Sequence, residues 1–329
     1  MESLIFAINA VSPIIAVVAI GYLIKKAGLM SADFAKAANK LVFRLLLPSM
    51  LFLNVYKIQN IGDMDLGYIV YVIAALVAIF IISIPISMAV TPKGERRGVL
   101  VQATFRSNYA LIGIPLAQAL FGESGAAVAT LLSAVFVPAL NILAVISLSV
   151  FRKGAEAPSV KKILLGIVRN PLIQSIVLGI LALLVRFIFI EAGIDFRISN
   201  IPAIYTPLEY LSRSATPLAL LVLGAQFEFS AVKELKREII FGTLMRVGFV
   251  PIFGLGIAYL LFSETFNGAH FAAFVAAFAT PVAVSSVPMV QEMDGDTSLA
   301  GQLVVWTTLF SALSVFLASM LLKMAGIFS

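Results

Sequence analysis

Apolar residues in this chain run in long blocks rather than alternating with polar ones at the strand period or forming a single helical stripe. Blocks of about 20 apolar residues are what an α-helix needs to cross the hydrocarbon core of a bilayer. Ten occur, at roughly 4–24, 35–56, 67–91, 98–121, 125–151, 164–190, 205–227, 238–263, 269–292 and 298–323. The connections between them are short, so no large soluble domain fits. The predicted fold class is an all-α polytopic membrane protein with ten transmembrane helices. The first block is preceded by Glu2 with no positive flank and is followed by further spans. It therefore reads as a retained span rather than a cleaved signal peptide.

Composition agrees with lipid as the main solvent. Hydrophobic residues make up 61% of the 329, charged residues only 12%, and the mean hydropathy is +1.05, where soluble domains are about a quarter charged. The formal charge of +6 belongs to loops and carries no implication of nucleic-acid binding. Lys25, Lys26, Lys36, Lys40, Lys93, Arg96, Arg97, Arg152, Lys153, Lys161, Lys162, Arg169, Lys233, Lys236 and Arg237 fall on one side of a ten-span topology. Only Lys57, Arg186, Arg197 and Lys323 fall on the other. The positive-inside bias, about fifteen to four, predicts both termini outside the cell membrane. The chain has no cysteine and one histidine, His270, which excludes disulfides, thiolate sites and multi-histidine metal centres. No cofactor or metal is expected.

The second half of the sequence repeats the first. "IPLAQALFGE" (114–123) and "VPMVQEMDGD" (287–296) share a Pro-x-x-Gln-x-x-x-Gly-acidic pattern. Pro115 matches Pro288, Gln118 matches Gln291, Gly122 matches Gly295 and Glu123 matches Asp296, all at an offset of 173. Pro13 and Gly21 match Pro171 and Gly179 in the first span of each half, and Pro48 resembles Pro217. Two repeats of five spans, 1–151 and 164–329, joined by a cytoplasmic loop at 152–163, must sit in the membrane with opposite orientations. Inverted repeats of this kind are a signature of secondary transporters.

The prolines indicate where the helices should open. Proline cannot donate a backbone N–H and clashes with the carbonyl four residues back. Pro115, Pro281 and Pro288 should therefore free the carbonyls of Leu111, Ala277 and Val284. Such breaks are tolerated mid-membrane where backbone lines a cavity. Spans four and nine are expected to cross there, with ligand at the crossing.

At these residues the chain resembles the auxin efflux carrier family, which includes plant PIN carriers and bacterial dicarboxylate transporters. "NYALIGIPLAQALFGE" (108–123) is similar to the family's fourth-span pattern, an Asn seven residues before the Pro of a Gly-Ile-Pro that here includes Gly113. "ALNILAV" (139–145) stands where the family's fifth span lines the binding site. The resemblance implies a scaffold of spans 1, 2, 6 and 7 with dimer contacts, and a transport domain of spans 3–5 and 8–10 that moves as an elevator. The long central loop of the larger plant members is absent, and "TPVAVSSVP" (280–288) departs from their tighter proline pair.

The expected substrate-binding residues are Asn108, Gly113, Pro115, Gln118, Asn141, Pro281, Ser285, Ser286, Pro288 and Gln291, with Arg106 as a gate at the inner mouth. Arg44, Arg213 and Arg246 also fall in or near spans, where a charge is functional by default. No carboxylate sits confidently at mid-membrane, which disfavours cation exchange. The expected partners are a small organic anion, the lipid bilayer and a second copy of the chain through the scaffold. The function read from this sequence is secondary transport of a dicarboxylate or auxin-like carboxylate. The alternative is a sodium-coupled symporter of the bile-acid-transporter type. HExxH motifs and Ser/His or Asp pairs within the spans are absent, which disfavours an enzyme.

Overall fold

The structure is a computed structural model that describes residues 2–58, 65–151 and 160–328. The described chain is helical. α1 is Glu2–Lys26, α2 is Ala32–Tyr56 and α3 is Leu66–Val90. Span four is divided into α4, Gly94–Phe105, and α5, residues 109–120. A bend at Phe121 and Gly122 separates α5 from α6, residues 123–150. Gly122 has φ +60°, a left-handed conformation in which glycine carries no Cβ penalty. The second half begins with α7, Val160–Arg169, and α8, Pro171–Glu191, followed by α9, Pro202–Gln226, and α10, Lys236–Phe262. Span nine is divided into α11, Gly268–Phe278, and α12, Ser286–Glu292, and α13 is Thr297–Met324. Among the described residues, six helices are long and apolar enough to cross a membrane, with residues 109–150 counted as one.

Two sequence expectations require correction. The sixth block, 164–190, is not one helix. Pro171 starts α8 and Asn170 caps it, its side chain accepting from the Leu172 amide at 2.9 Å. The residue before a proline avoids helical backbone, so α7 ends there as a separate, strongly amphipathic helix. Most of the connecting loop at 152–163, including Arg152 and Lys153, lies outside the described residues.

The second correction concerns the prolines, since Pro115 and Pro288 do not open their helices. Pro115 follows a wide π-type turn, Tyr109–Gly113, in which the amide of Ile114 bonds back to Tyr109 rather than to the residue four before it. One added residue in the turn takes up the missing donor. Pro48 and Pro251 follow the same device at Val42–Leu46 and Met245–Phe249. Pro288 is in the first turn of α12, where amides have no intrahelical partner to lose. The carbonyl of Val284 accepts from Val287 at 3.2 Å. The true breaks, 106–108 and 279–285, lie upstream of both prolines.

Helix packing is set by small residues at close crossings. α1 meets α9 where a Cβ on Gly224 would strike the Val18 carbonyl, and one on Gly21 the Leu221 carbonyl. α8 meets α2 where a Cβ on Gly179 would lie 3.0 Å from the Phe52 carbonyl. On the loop side of α4, buried Arg96 pairs with Asp296 at 2.9 Å, with Glu238 at 3.2 Å and with Glu234. This ties the start of α4 to the starts of α10 and α13. Asp296 also caps α13 through the Leu299 amide at 2.9 Å.

The Gly224 contact predicts a measurable contrast. Gly224→Val forces backbone apart and should cost about 1–3 kcal/mol or more, lowering the melting temperature of purified protein in detergent. Gly256→Val, with open space around it, should leave the melting temperature nearly unchanged. Equal melting of the two variants would contradict the packing described.

Candidate functional site

The two breaks meet as a short antiparallel pairing. Asn108 donates its amide to the Pro281 carbonyl at 2.8 Å, and Ala283 donates to the Arg106 carbonyl at 3.1 Å. Ser107 and Val282 face each other between these bonds. The pairing satisfies backbone groups that neither broken helix satisfies alone. The Val282 amide is taken by Thr307 Oγ1 of α13 at 3.1 Å.

Each side of the crossing holds an arginine. Arg246 of α10 is fully buried. It donates to the carbonyls of Thr104 (3.1 Å), Phe105 (3.3 Å), Ala277 (3.1 Å) and Thr280 (2.8 Å). The Ala277 carbonyl, which Pro281 was expected to free, is therefore satisfied by Arg246. Arg106 lies on the opposite face. It is 3% exposed, and its guanidinium donates to Asn141 Oδ1 at 2.7 Å and Ser285 Oγ at 3.1 Å, with Ser286 Oγ at 3.5 Å and Met289 Sδ at 3.3 Å. All these acceptors are neutral. Among the described residues no carboxylate lies within 4 Å of Arg106.

Arg106 opens onto a cavity of about 180 Å³. One wall is the crossing and α6: Arg106, Ser107, Asn108, Asn141 and Ser285, with Tyr109 and Leu140. The other comes from α2, α8 and α9: Met50, Leu51, Asn54, Leu172, Thr216 and Ala219. Buried Asn108 Nδ2 and Ser107 Oγ have no hydrogen-bond partner. An unpaired buried donor costs about 1–3 kcal/mol, so a guest offering an acceptor at Asn108 would recover that cost.

The cavity thus gathers Asn108, Asn141, Ser285 and Arg106, with Ser286 in the layer behind through its bond to Arg106. Arg106 is at the crossing and not at an inner mouth. The other expected residues stand elsewhere. Gly113 lets α5 approach α11, since a Cβ there would meet the Ala276 carbonyl at 3.0 Å. Pro115 and Pro288 do not line the cavity, and Pro281 contributes its carbonyl to the pairing. Gln118 is exposed and bonds Glu123 at 2.8 Å. Gln291 accepts from Gln226 of α9 at 3.0 Å. Asn54 and Thr216 were not expected; a lone polar residue within each apolar run, "LFLNV" and "ATPLALL", was the available signal.

The sequence profile of the membrane transport protein family, the auxin efflux carriers, matches residues 6–319. The chain belongs to this family. The carrier is similar to an uncharacterized transporter of Methanothermobacter thermautotrophicus, 24% identical over 95% of this chain and 98% of the relative. It is also similar to an uncharacterized transporter of Methanocaldococcus jannaschii, 26% identical over 67% of this chain and 68% of the relative. The carrier is a multi-pass membrane transporter, and its family is not one of catalytic enzymes.

The carrier's lack of cysteine makes the crossing directly testable. Ser107 and Val282 form a non-hydrogen-bonded antiparallel pair, whose Cα atoms are about 4.5 Å apart, within disulfide range. A Ser107→Cys/Val282→Cys double variant should form an intramolecular disulfide in high yield on mild oxidation, read by mass spectrometry of linked peptides. A Gln118→Cys/Val282→Cys variant should form none.

Proposed function

We propose that this carrier is a secondary transporter of a small organic anion, and that the anion's carboxylate pairs with Arg106. The observation that carries this reading is a buried guanidinium with only neutral acceptors, opening onto a cavity beside an unpartnered amide donor. A charge in a membrane interior is costly and is kept where it is used. The N-terminus of α5 adds a partial positive charge on the same face.

The charge count narrows the class. Arg106 is the charged residue in the cavity lining, so one carboxylate is neutralised and a second would be left unpaired in a desolvated site. The favoured substrate is a monocarboxylate, or a dicarboxylate carried as its monoanion. Asn54 and Thr216 then meet its distal end.

Alternating access by an elevator-like motion fits a cavity shared between two groups of helices. Spans 1, 2, 6 and 7 (α1, α2, α8, α9) would be the scaffold, and spans 3–5 and 8–10 would carry the crossing. The groups pack against each other along α1 and α13 and hydrogen-bond through Arg44–Glu292 at 3.3 Å, Gln226–Gln291 at 3.0 Å and Gln302 to the Glu228 carbonyl at 2.8 Å, contacts that would have to exchange in such a motion. The inverted repeat is supported by numbering. α4 and α11 end at Phe105 and Phe278, and Asn108 bonds Pro281, each pair separated by the offset of 173. Asn108 and Pro281 then stand on the pseudo-twofold axis. Both termini would lie outside, and the exposed apolar face of α8, including Val177, Leu181, Leu184 and Ile188, would meet lipid or a second copy.

The test is electrical recording from proteoliposomes exposed to lactate, malonate, malate, succinate and indole-3-acetate, with and without sodium. Wild type should give saturable currents for at least one monoanion. Arg106→Gln should reduce them about 30-fold or more, in line with losing a buried charge pair, and Asn108→Ala about 5–10-fold, in line with one lost hydrogen bond. Wild-type currents in Arg106→Gln would refute the site.

A further inference from the structure

Arg246 takes no part in the cavity, yet it is as deeply buried a cation as Arg106. Its acceptors come from the ends of two different half-helices. Thr104 and Phe105 close α4, while Ala277 and Thr280 lie at the end of α11 and just beyond it. Among the described residues no carboxylate lies within 4 Å of it. A helix C-terminus carries about half a unit of negative charge, so two converging ends present about one. A guanidinium supplies one positive charge and a planar fork of donors. The charge is matched, and four carbonyls take four of the five guanidinium N–H donors.

Carbonyl oxygens from half-helix ends and unwound backbone are also the set by which broken-helix transporters coordinate alkali cations. Here those oxygens are already occupied by a side chain covalently part of the protein. We propose that Arg246 is a resident counter-cation of the crossing. It is a positioning residue that holds the two half-helix C-termini together, in the place an exchangeable cation would otherwise take. Removing its guanidinium leaves a carbonyl-lined site that accepts a free guanidinium or alkali cation. This inference stands on the geometry of the crossing and does not depend on the nature of the substrate.

The test uses purified full-length protein and thermal melting at constant ionic strength in choline, potassium, sodium or lithium chloride, with and without 10 mM guanidinium chloride (about that level is far below denaturing concentrations). Wild type should melt at one temperature in all of them. Arg246→Ala should melt about 5 °C lower or more and recover at least half of the loss with guanidinium or with one alkali cation, saturably. Arg246→Lys, which keeps the charge without the fork, should fall between the two. It carries the test if the alanine variant does not fold. In proteoliposomes, guanidinium should restore the maximal rate of Arg246→Ala, with KM for the transported anion within about twofold of wild type, because Arg246 does not touch the cavity. A saturable sodium-specific stabilisation of wild type would overturn the proposal. So would Arg246 variants that melt like wild type, or that are destabilised with no response to any cation.

Discussion

Everything in this molecule depends on how two interrupted helices dispose of their open ends. A helix that stops inside the membrane leaves carbonyls that water cannot reach, and each unsatisfied group costs several kcal/mol there. In this chain the ends of α4 and α11 are brought to one place and held by one guanidinium, that of Arg246. The strands between the half-helices then bond to each other through Asn108–Pro281 and Ala283–Arg106. With backbone satisfied in this way, irregular structure becomes affordable in the interior, and side chains on the far face are free for a ligand.

The two arginines divide the work by what surrounds them. Arg246 is enclosed by backbone carbonyls and does not line the cavity that Arg106 faces. Arg106 is held by amide and hydroxyl oxygens that orient it without neutralising it, and it opens onto space. On the proposed function, a fixed cation oriented by neutral dipoles would receive the anion. The two walls of that space come from different helix groups. Movement of one group past the other would therefore dismantle and rebuild the cavity around the bound anion.

Much of this was legible in the sequence. Apolar blocks placed the long helices because lipid demands length and uniform hydropathy, and the repeated Pro-Gln-Gly pattern pointed to spans four and nine. Asn108, Asn141 and Ser285, singled out because polar groups are costly there, line one cavity. The breaks lie upstream of Pro115 and Pro288, because a π-type turn lets Pro115 sit in a continuous helix and a first-turn position makes Pro288 harmless, whereas Pro281 does fall within a break. Gln118 and Gln291 share a motif with the prolines but face away from the cavity. Proximity in sequence carries no information on which face of a helix looks inward once turns widen and bend. Arg106 was assigned to the mouth of the pathway because its depth depends on where α4 ends, and only tertiary pairing with residues 281–283 fixes that.

The most direct test of the account is a high-resolution structure of the protein saturated with a transported monocarboxylate. The account predicts the carboxylate within hydrogen-bond distance of the Arg106 guanidinium and the Asn108 side-chain amide, with Arg246 unmoved on its carbonyls. A carboxylate bound elsewhere, with the Arg106 bonds to Asn141 and Ser285 intact and the cavity holding only solvent, would contradict it.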